Sequence, residues 1–448
     1  MTFGDTSQDQ TFHLLTPEGT FLSAGPTPGT FCQTLLDVEG SPLAVRRIGQ
    51  TFRLNLDAPP EDTPALLHDG SGGVGLSVRG QYLQASPSGG VSWSPTRGAA
   101  ARFVLIATAA FARLRHLHRH AWMEVRPRVW HPAGSLQLLP HDRVMFAGVS
   151  YTLAEVLICL AQQPERALSI QLRRDGWQVR QFEVFRPLIY FTAFGPPEMF
   201  QLLNIALCSL ARRGAVPATY LVITRPEDRA LIAEHGAEAC ALLGDRLRIA
   251  CLDATSLRDF MFARYALATI PEGALYQPIL YLDTDMVCDG PLENLFREAM
   301  DTDKILAPAE HLLHLDQFDW WGGKALFEKD SSSGLTINDF GMNSGSICAK
   351  NLFVLRESFE LIPRLQRAHD TQASEPLTFD QPFFNYVVYK LGLQDPSVFL
   401  KHIRLNGHEQ PPSPNDRRGL VHFMGGVGNS SPKLNRMRDY VTLLDALP

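Results

Sequence analysis

The rhythm of apolar and polar positions changes twice along the chain. From Thr11 to about Thr108, short apolar stretches alternate with polar residues and are broken by Gly, Pro, Ser and Thr, without a helical period. That texture predicts an all-β module over 11–108, built of short strands joined by turns. One phrase occurs twice in it, as Gly19-Thr20-Phe21-Leu22-Ser23-Ala24 and as Gly80-Gln81-Tyr82-Leu83-Gln84-Ala85. Each copy leads to an aromatic strand, Phe52-Arg53-Leu54 after the first and Arg102-Phe103-Val104-Leu105 after the second. Over 109–186 the signals mix and predict a small connecting α/β subdomain. Thr152 to Gln163 reads as a helix capped by Thr152 and stopped before Pro164, and Asp175-Gly176 between two apolar runs is a hairpin signal.

At Pro187 the pattern becomes compact apolar strands alternating with amphipathic segments. Strands are expected at Leu188–Ala193, Tyr220–Thr224, Leu247–Leu252 and Ile279–Leu282, with helices at Glu198–Arg212, Pro226–His235 and Ser256–Ala268. Such alternation implies parallel βαβ units with right-handed crossovers. Ligands of these sheets bind beyond the carboxyl ends of the strands, so the residues ending each strand are the ones to inspect.

Composition narrows the function classes. The 448 residues are 45% hydrophobic and 20% charged with a formal charge of −6, which suits folded domains and excludes disorder as the main state. A mildly acidic chain is a poor match for a nucleic-acid partner. No apolar run reaches the roughly 18 residues of a membrane span. The seven cysteines are scattered without CxxC spacing, and Met1–Gln10 lacks a secretory layout, so reduced thiols in a cytoplasm are expected. His116, His118 and His120 would share a face if extended, but no acid or cysteine completes a metal set within that run, and a solvated strand or helix face is expected there.

The chemistry concentrates after the fourth strand of the α/β segment. Tyr281-Leu282-Asp283-Thr284-Asp285-Met286-Val287 places two acids two residues apart behind buried apolar positions. In extended backbone they point the same way, and like charges so close need a shared cation. A hard divalent ion bridging to diphosphate oxygens meets that need.

Pro278–Val287 followed by Gly290-Pro291-Leu292 closely resembles the metal-binding segment of family 8 glycosyltransferases. Further blocks stand in that family's order over about 187–448. Ile189-Tyr190-Phe191-Thr192-Ala193 looks like its nucleotide-binding first strand, and Ala263-Arg264-Tyr265 matches the arginine that approaches the nucleotide. Asn343-Ser344-Gly345 matches the block contacting the donor sugar, Asp380-Gln381-Pro382-Phe383-Phe384-Asn385 an Asp-Gln-Asp-x-x-Asn segment, and His422-Phe423-Met424-Gly425 a His-Phe-x-Gly metal motif. The resemblance implies a Rossmann-like α/β GT-A domain, with Mn²⁺ or Mg²⁺ held by Asp283, Asp285 and His422. It also implies a UDP-sugar donor in contact with Thr192, Ala193, Arg264, Thr284, Asn343, Ser344, Gly345 and Gly425. Asp380 and Gln381 would act beside the sugar, with retention of anomeric configuration and a saccharide or glycoconjugate acceptor.

Four residues at three places depart from the family pattern. Phe194 and Gly195 replace the acid that helps hold the base, Pro382 replaces the third residue of the Asp-Gln-Asp block, and Gly428 stands where a lysine is usual. Lys433, five residues on, or a nearby arginine is the candidate substitute. The repeated N-terminal phrase resembles the strand repeats of fascin-like and related β-trefoil domains, which implies a carbohydrate-binding or assembly module. His311–Gly334 reads as an insertion whose Phe318, Trp320, Trp321, Gly322 and Gly323 suit either a sugar-stacking loop or core packing. Alternatives to a metal-dependent hexosyltransferase are a saccharide- or nucleotide-sugar-binding protein with a degenerate centre, and a nucleotidyltransferase. The last lacks a Gly-rich phosphate loop after the opening strand.

Overall fold

The computed structural model describes residues 11–26, 30–36, 42–48, 51–54, 64–68, 73–126, 129–164, 166–315, 323–330, 339–370, 379–407, 412–424 and 431–447. The chain divides into two compact units, Met1–Val125 with His131–Val184, and Arg126–Trp130 with Phe185–Pro448. No helix among the described residues is long and apolar enough to cross a membrane.

In the first unit, a ten-stranded sheet runs in the order Phe31–Thr34, Phe21–Ala24, Thr11–Leu15, Phe103–Ala107, Gly73–Val78, Gln81–Ala85, Val91–Ser94, with three further strands off this path. The two copies of the repeated phrase supply the central strands of two meanders, on either side of the Thr11–Leu15 and Phe103–Ala107 pair. Gly19 and Gly80 turn the chain into those strands with φ of +79° and +74°. At Gly19 a Cβ would stand 2.3 Å from the Leu138 carbonyl oxygen, which restricts the position to glycine.

The His116–His120 run is helical, lying in Thr108–His120, so its alternate residues diverge. His116 and His120 rings pack 4.9 Å apart while His118 Nδ1 accepts from the Leu136 amide at 3.1 Å. The helix Leu153–Ala161 starts with a reciprocal capping box between Thr152 and Glu155. Asp175 and Gly176 both adopt positive φ between Ser169–Arg174 and Gln178–Val184, the conformation that the Asp-Gly pair favours. Leu15, Phe21 and Leu36 share one apolar core with Leu114, Val156 and Phe182.

The second unit carries the α/β pattern. Its two larger sheets use β1 (Leu188–Thr192), β2 (Thr219–Thr224), β3 (Leu247–Cys251), β4 (Ile279–Leu282), β5 (Met286–Cys288), β6 (Ile305–Leu306), β7 (Ser346–Ala349), β8 (Gln394–Asp395), β9 (Ile403–Asn406) and β10 (Leu420–Phe423), and Ala309–His314 pairs Phe340–Met342 in a separate ribbon. One sheet is ordered β3-β2-β1-β4-β7-β6-β8, with β1 to β4 parallel and β7 antiparallel to β4; a second is ordered β5-β10-β9. Residues 188–192 and 279–282 are buried throughout, as expected of central parallel strands covered on both faces.

Helix α1 (Pro197–Arg213) opens on proline and ends at Gly214. The helix expected from Pro226 begins at Arg229, because Asp228 turns its carboxylate onto the Arg225 fork at 2.7 and 2.8 Å. The helix expected over Ser256–Ala268 is α-helical only at Leu257–Phe262 and tightens into a 3₁₀ segment at Ala263–Thr269, which buries Ala263, Arg264 and Tyr265 consecutively. The strand order reverses between β1 and β4, a topological switch point, and the carboxyl ends of these two strands open the site below.

Candidate metal centre

Two strand registers assemble the cluster. Leu282 pairs Ser346, so the Asp283 amide donates to the Gly345 carbonyl at 2.8 Å and the Asn343–Gly345 turn lies against the end of β4. Met286 pairs His422, and the Phe423 amide donates to the Asp285 carbonyl at 2.9 Å, which sets His422 beside Asp285. Asp283, Asp285 and His422 each offer a ligand atom, and these atoms lie within 4.8 Å of one another. Two carboxylate oxygens and an imidazole are a donor set suited to a borderline or hard divalent ion.

The fit is visible in what the cluster leaves open. His422 Nδ1 is buried with no hydrogen-bond partner among the described residues, and the buried Asp285 Oδ1 has only the approach of His422 Nε2 at 3.2 Å. A side chain at Gly345 would fall into the same space, since its Cβ would stand 2.7 Å from both Asp283 Oδ2 and His422 Cε1. Gly345→Ala is expected to weaken Mn²⁺ binding at least about tenfold, because the packed neighbours must shift to admit a methyl group. Mn²⁺ titration of a variant with unchanged far-UV circular dichroism checks this.

The two acids sit in opposite electrostatic settings. Burial pushes the Asp283 carboxyl above its ordinary range and Arg264 pulls it back, with Asp285 adding repulsion. For Asp285 burial is overcome by Lys433, whose Nζ donates to Oδ2 at 2.6 Å, and by His422 with Nε2 at 3.2 Å from Oδ1; its carboxyl is held below the ordinary range.

Behind the acids lies a buried network centred on Arg264. Its guanidinium stands 3.2 Å from Asp283 and 3.5 Å from Asp380, donates to the Ser344 carbonyl, and lies over the Tyr281 ring with 4.8 Å to the centroid. Burial opposes that charge, but the two acids outweigh it and hold the guanidinium well above its usual range. Tyr281 donates to Asp283 and Tyr265 to Asp380, each at 2.5 Å. Burial raises both phenols, keeping them protonated donors.

Asp380 occupies the N-cap position of α3 (Gln381–Lys390; α2 is Leu352–Asp370), yet its side chain caps nothing, being engaged by Tyr265 and Arg264. Pro382 falls in the first turn of that helix, where a missing amide proton costs little. Gln381 accepts from the Ser344 amide at 3.1 Å through Oε1 and donates through Nε2 to Glu310. Asn385 clamps the Met342 backbone with bonds of 2.8 and 3.1 Å, holding the Asn343–Gly345 turn.

Among the candidate residues, Asp283, Asp285, Asn343, Gly345, His422 and Lys433 gather around the cluster, and Arg264, Ser344, Asp380 and Gln381 form the network behind it. Thr192 joins through Tyr281, 3.1 Å from its hydroxyl, and Ala193 is fixed by its amide on the Ile223 carbonyl; Thr284 is buried. Gly425 and Gly428 lie outside the described residues, as do Phe318, Trp320, Trp321 and Gly322. Gly323 is described, with φ +80° and its α-carbon against the Pro382 backbone. Phe194 is buried and stacks on Phe260 at 4.8 Å, while the Gly195 amide donates to Asp228 at 3.3 Å.

Sequence reading missed Tyr281, Tyr265 and Glu310. The first carried a signal, since strand alternation puts Tyr281 on the face of Asp283 two residues later. Glu310 carried none.

The solved structures to which the chain is similar include two of one enzyme. One is galactosyltransferase LgtC in complex with donor and acceptor sugar analogs, at 16% identity over 58% of this chain and 97% of that chain, with a TM-score of 0.37. The other is an active-site mutant of LgtC, at 15% identity with the same coverage and a TM-score of 0.38. No family model and no curated protein matches the chain.

Proposed function

We propose that residues 187–448 form a metal-dependent retaining glycosyltransferase domain of GT-A fold that moves a hexose from a UDP-sugar to a saccharide acceptor. In this reading 11–108 is an accessory carbohydrate-binding or assembly module and 109–186 its connector. The observation that carries the proposal is the convergence of Asp283, Asp285 and His422, from two separate stretches of sequence, within 4.8 Å beyond the carboxyl end of β4. The ordered family 8-like blocks of the sequence converge on the same place.

Asp283, Asp285 and His422 would hold Mn²⁺ or Mg²⁺, which when bound neutralises the diphosphate and makes it a better leaving group. The chain's own residues supply the rest. Thr192 and Ala193 end the strand against which the nucleotide lies, and the Asn343–Gly345 turn faces the donor sugar. Arg264 fixes Asp283 and Asp380 in one frame, so that the metal ligand and the sugar-side carboxylate keep their spacing. Asp380 places its carboxyl group on the sugar side of Arg264, to oppose positive charge at the anomeric carbon. The amide oxygen of Gln381 is committed to Ser344, which makes Gln381 a positioning residue for the sugar turn.

A second reading is a nucleotide-sugar-binding protein with a decayed centre, favoured by that engaged Gln381 oxygen and by Pro382 in place of an acid. Calorimetric titration with UDP separates the metal-centred proposal from any metal-independent site. UDP affinity is expected to fall at least about tenfold when Mn²⁺ is replaced by EDTA. Equal affinity under both conditions overturns the metal-centred assignment.

A further inference from the structure

Cations of the chain itself already oppose both acids of the cluster. Arg264 lies 3.2 Å from Asp283 Oδ1, and Lys433 donates to Asp285 Oδ2 at 2.6 Å. Counting Asp380, which shares Arg264, three carboxylates face one guanidinium and one ammonium, and the Lys433 ammonium offsets the charge that Asp285 would offer a divalent ion.

The two cations differ in how firmly they are held. Arg264 is buried and bonds the Met261 and Ser344 carbonyls as well as facing two acids, so it is a fixed part of the frame. Lys433 lies in the first turn of α4 (Ser431–Asp445), and its side chain is 18% exposed. Lysine is a compact charge on a flexible four-carbon stem, able to exchange one anionic partner for another. A divalent ion bound by Asp285 would meet the ammonium at close range, where like charges repel strongly in a buried setting.

We propose that Lys433 is a latch on the metal centre: its ammonium occupies Asp285 until a nucleoside diphosphate offers phosphate oxygens in exchange. The metal ion and the diphosphate then bind as a pair, each weakly without the other. The latch rests on the metal-dependent reading given above and adds to it an order of assembly and a role for Lys433 before the ligands bind. Reciprocity requires that the diphosphate tighten the metal by the same factor as the metal tightens the diphosphate. The exchange also delivers the ammonium to the leaving group, at the stage where its negative charge grows.

Mn²⁺ titrations followed by electron paramagnetic resonance of the free ion, with and without UDP, test the latch in the full-length protein. Wild type is expected to bind Mn²⁺ at least about tenfold more tightly with UDP present. Lys433→Met is expected to bind Mn²⁺ alone at least about tenfold more tightly than wild type, the scale of one charged hydrogen bond, and to gain less from UDP. Lys433→Arg, which keeps the charge, is expected to restore weak binding. Equal Mn²⁺ affinity of wild type and Lys433→Met without UDP, with binding lost in His422→Ala, overturns the latch and leaves the metal centre standing. Absence of Mn²⁺ binding in every variant, with native circular dichroism and UDP present, overturns both.

Discussion

Asp285→Ala is expected to lower Mn²⁺-dependent UDP release from a UDP-sugar by at least about a hundredfold, the scale of losing one principal electrostatic contact to a transition state. Asp285 sits between Lys433 and His422, with Asp283 beside it. Lys433 and His422 hold its carboxyl below the ordinary range in spite of burial, so it is an anion throughout the neutral pH range. Its removal leaves His422 and Asp283 too few to fix a divalent ion and releases the Lys433 side chain. The fold is expected to survive, because the backbone of residue 285 keeps its bond to Phe423 and Lys433 is close enough to solvent to be hydrated. Steady-state UDP release with parallel circular dichroism checks the prediction. Undiminished release in a folded variant removes Asp285 from the metal centre.

Arg264→Met is expected to cost about 3–5 kcal/mol of stability, the usual effect of removing one partner from a buried ionic cluster. Arg264 is 5% exposed, and its guanidinium stands against two acids, of which Asp380 is 3% exposed. Methionine fills the volume but leaves those acids without their cation. Urea unfolding measures the loss, and its pH dependence identifies the cause. Burial already raises the Asp283 carboxyl, and Arg264 is the strongest influence lowering it. Without Arg264 the folded-state value rises further above the unfolded one. The deficit is therefore smallest below the ordinary carboxylate range and grows as pH rises through the folded value. A deficit that does not change with pH points to lost packing instead.

The α/β unit was legible because its strands are short, continuously apolar and separated by helical segments, a pattern set by burial on both faces. The Asp283–Asp285 pair was legible for a related reason: charged residues directly after buried ones mark a strand end. Register was not. Nothing in the text pairs Met286 with His422 or Leu282 with Ser346, and those pairings decide which blocks meet.

Helix boundaries shifted where side chains found partners the sequence does not announce. Asp228 closes on Arg225, and Arg264 with Tyr265 turns inward in a 3₁₀ segment to reach Asp283 and Asp380. The shared core of Leu15, Phe21 and Leu36 with Leu114, Val156 and Phe182 was hidden because it joins residues far apart, each in an unremarkable apolar position. His116, His118 and His120 illustrate how the period decides meaning: extended, they would share a face, but helical, only His116 and His120 adjoin.

The most direct test of the metal-dependent transferase is a panel of UDP-sugars incubated with the full-length protein and Mn²⁺, with UDP release and the anomeric configuration of the product followed by proton nuclear magnetic resonance. A retaining glycosyltransferase centred on Asp283, Asp285 and His422 releases UDP from at least one donor only while Mn²⁺ is present, and yields a product with the donor's anomeric configuration. Metal-independent release, an inverted product, or saturable UDP-sugar binding without turnover across the panel and added acceptors contradicts it.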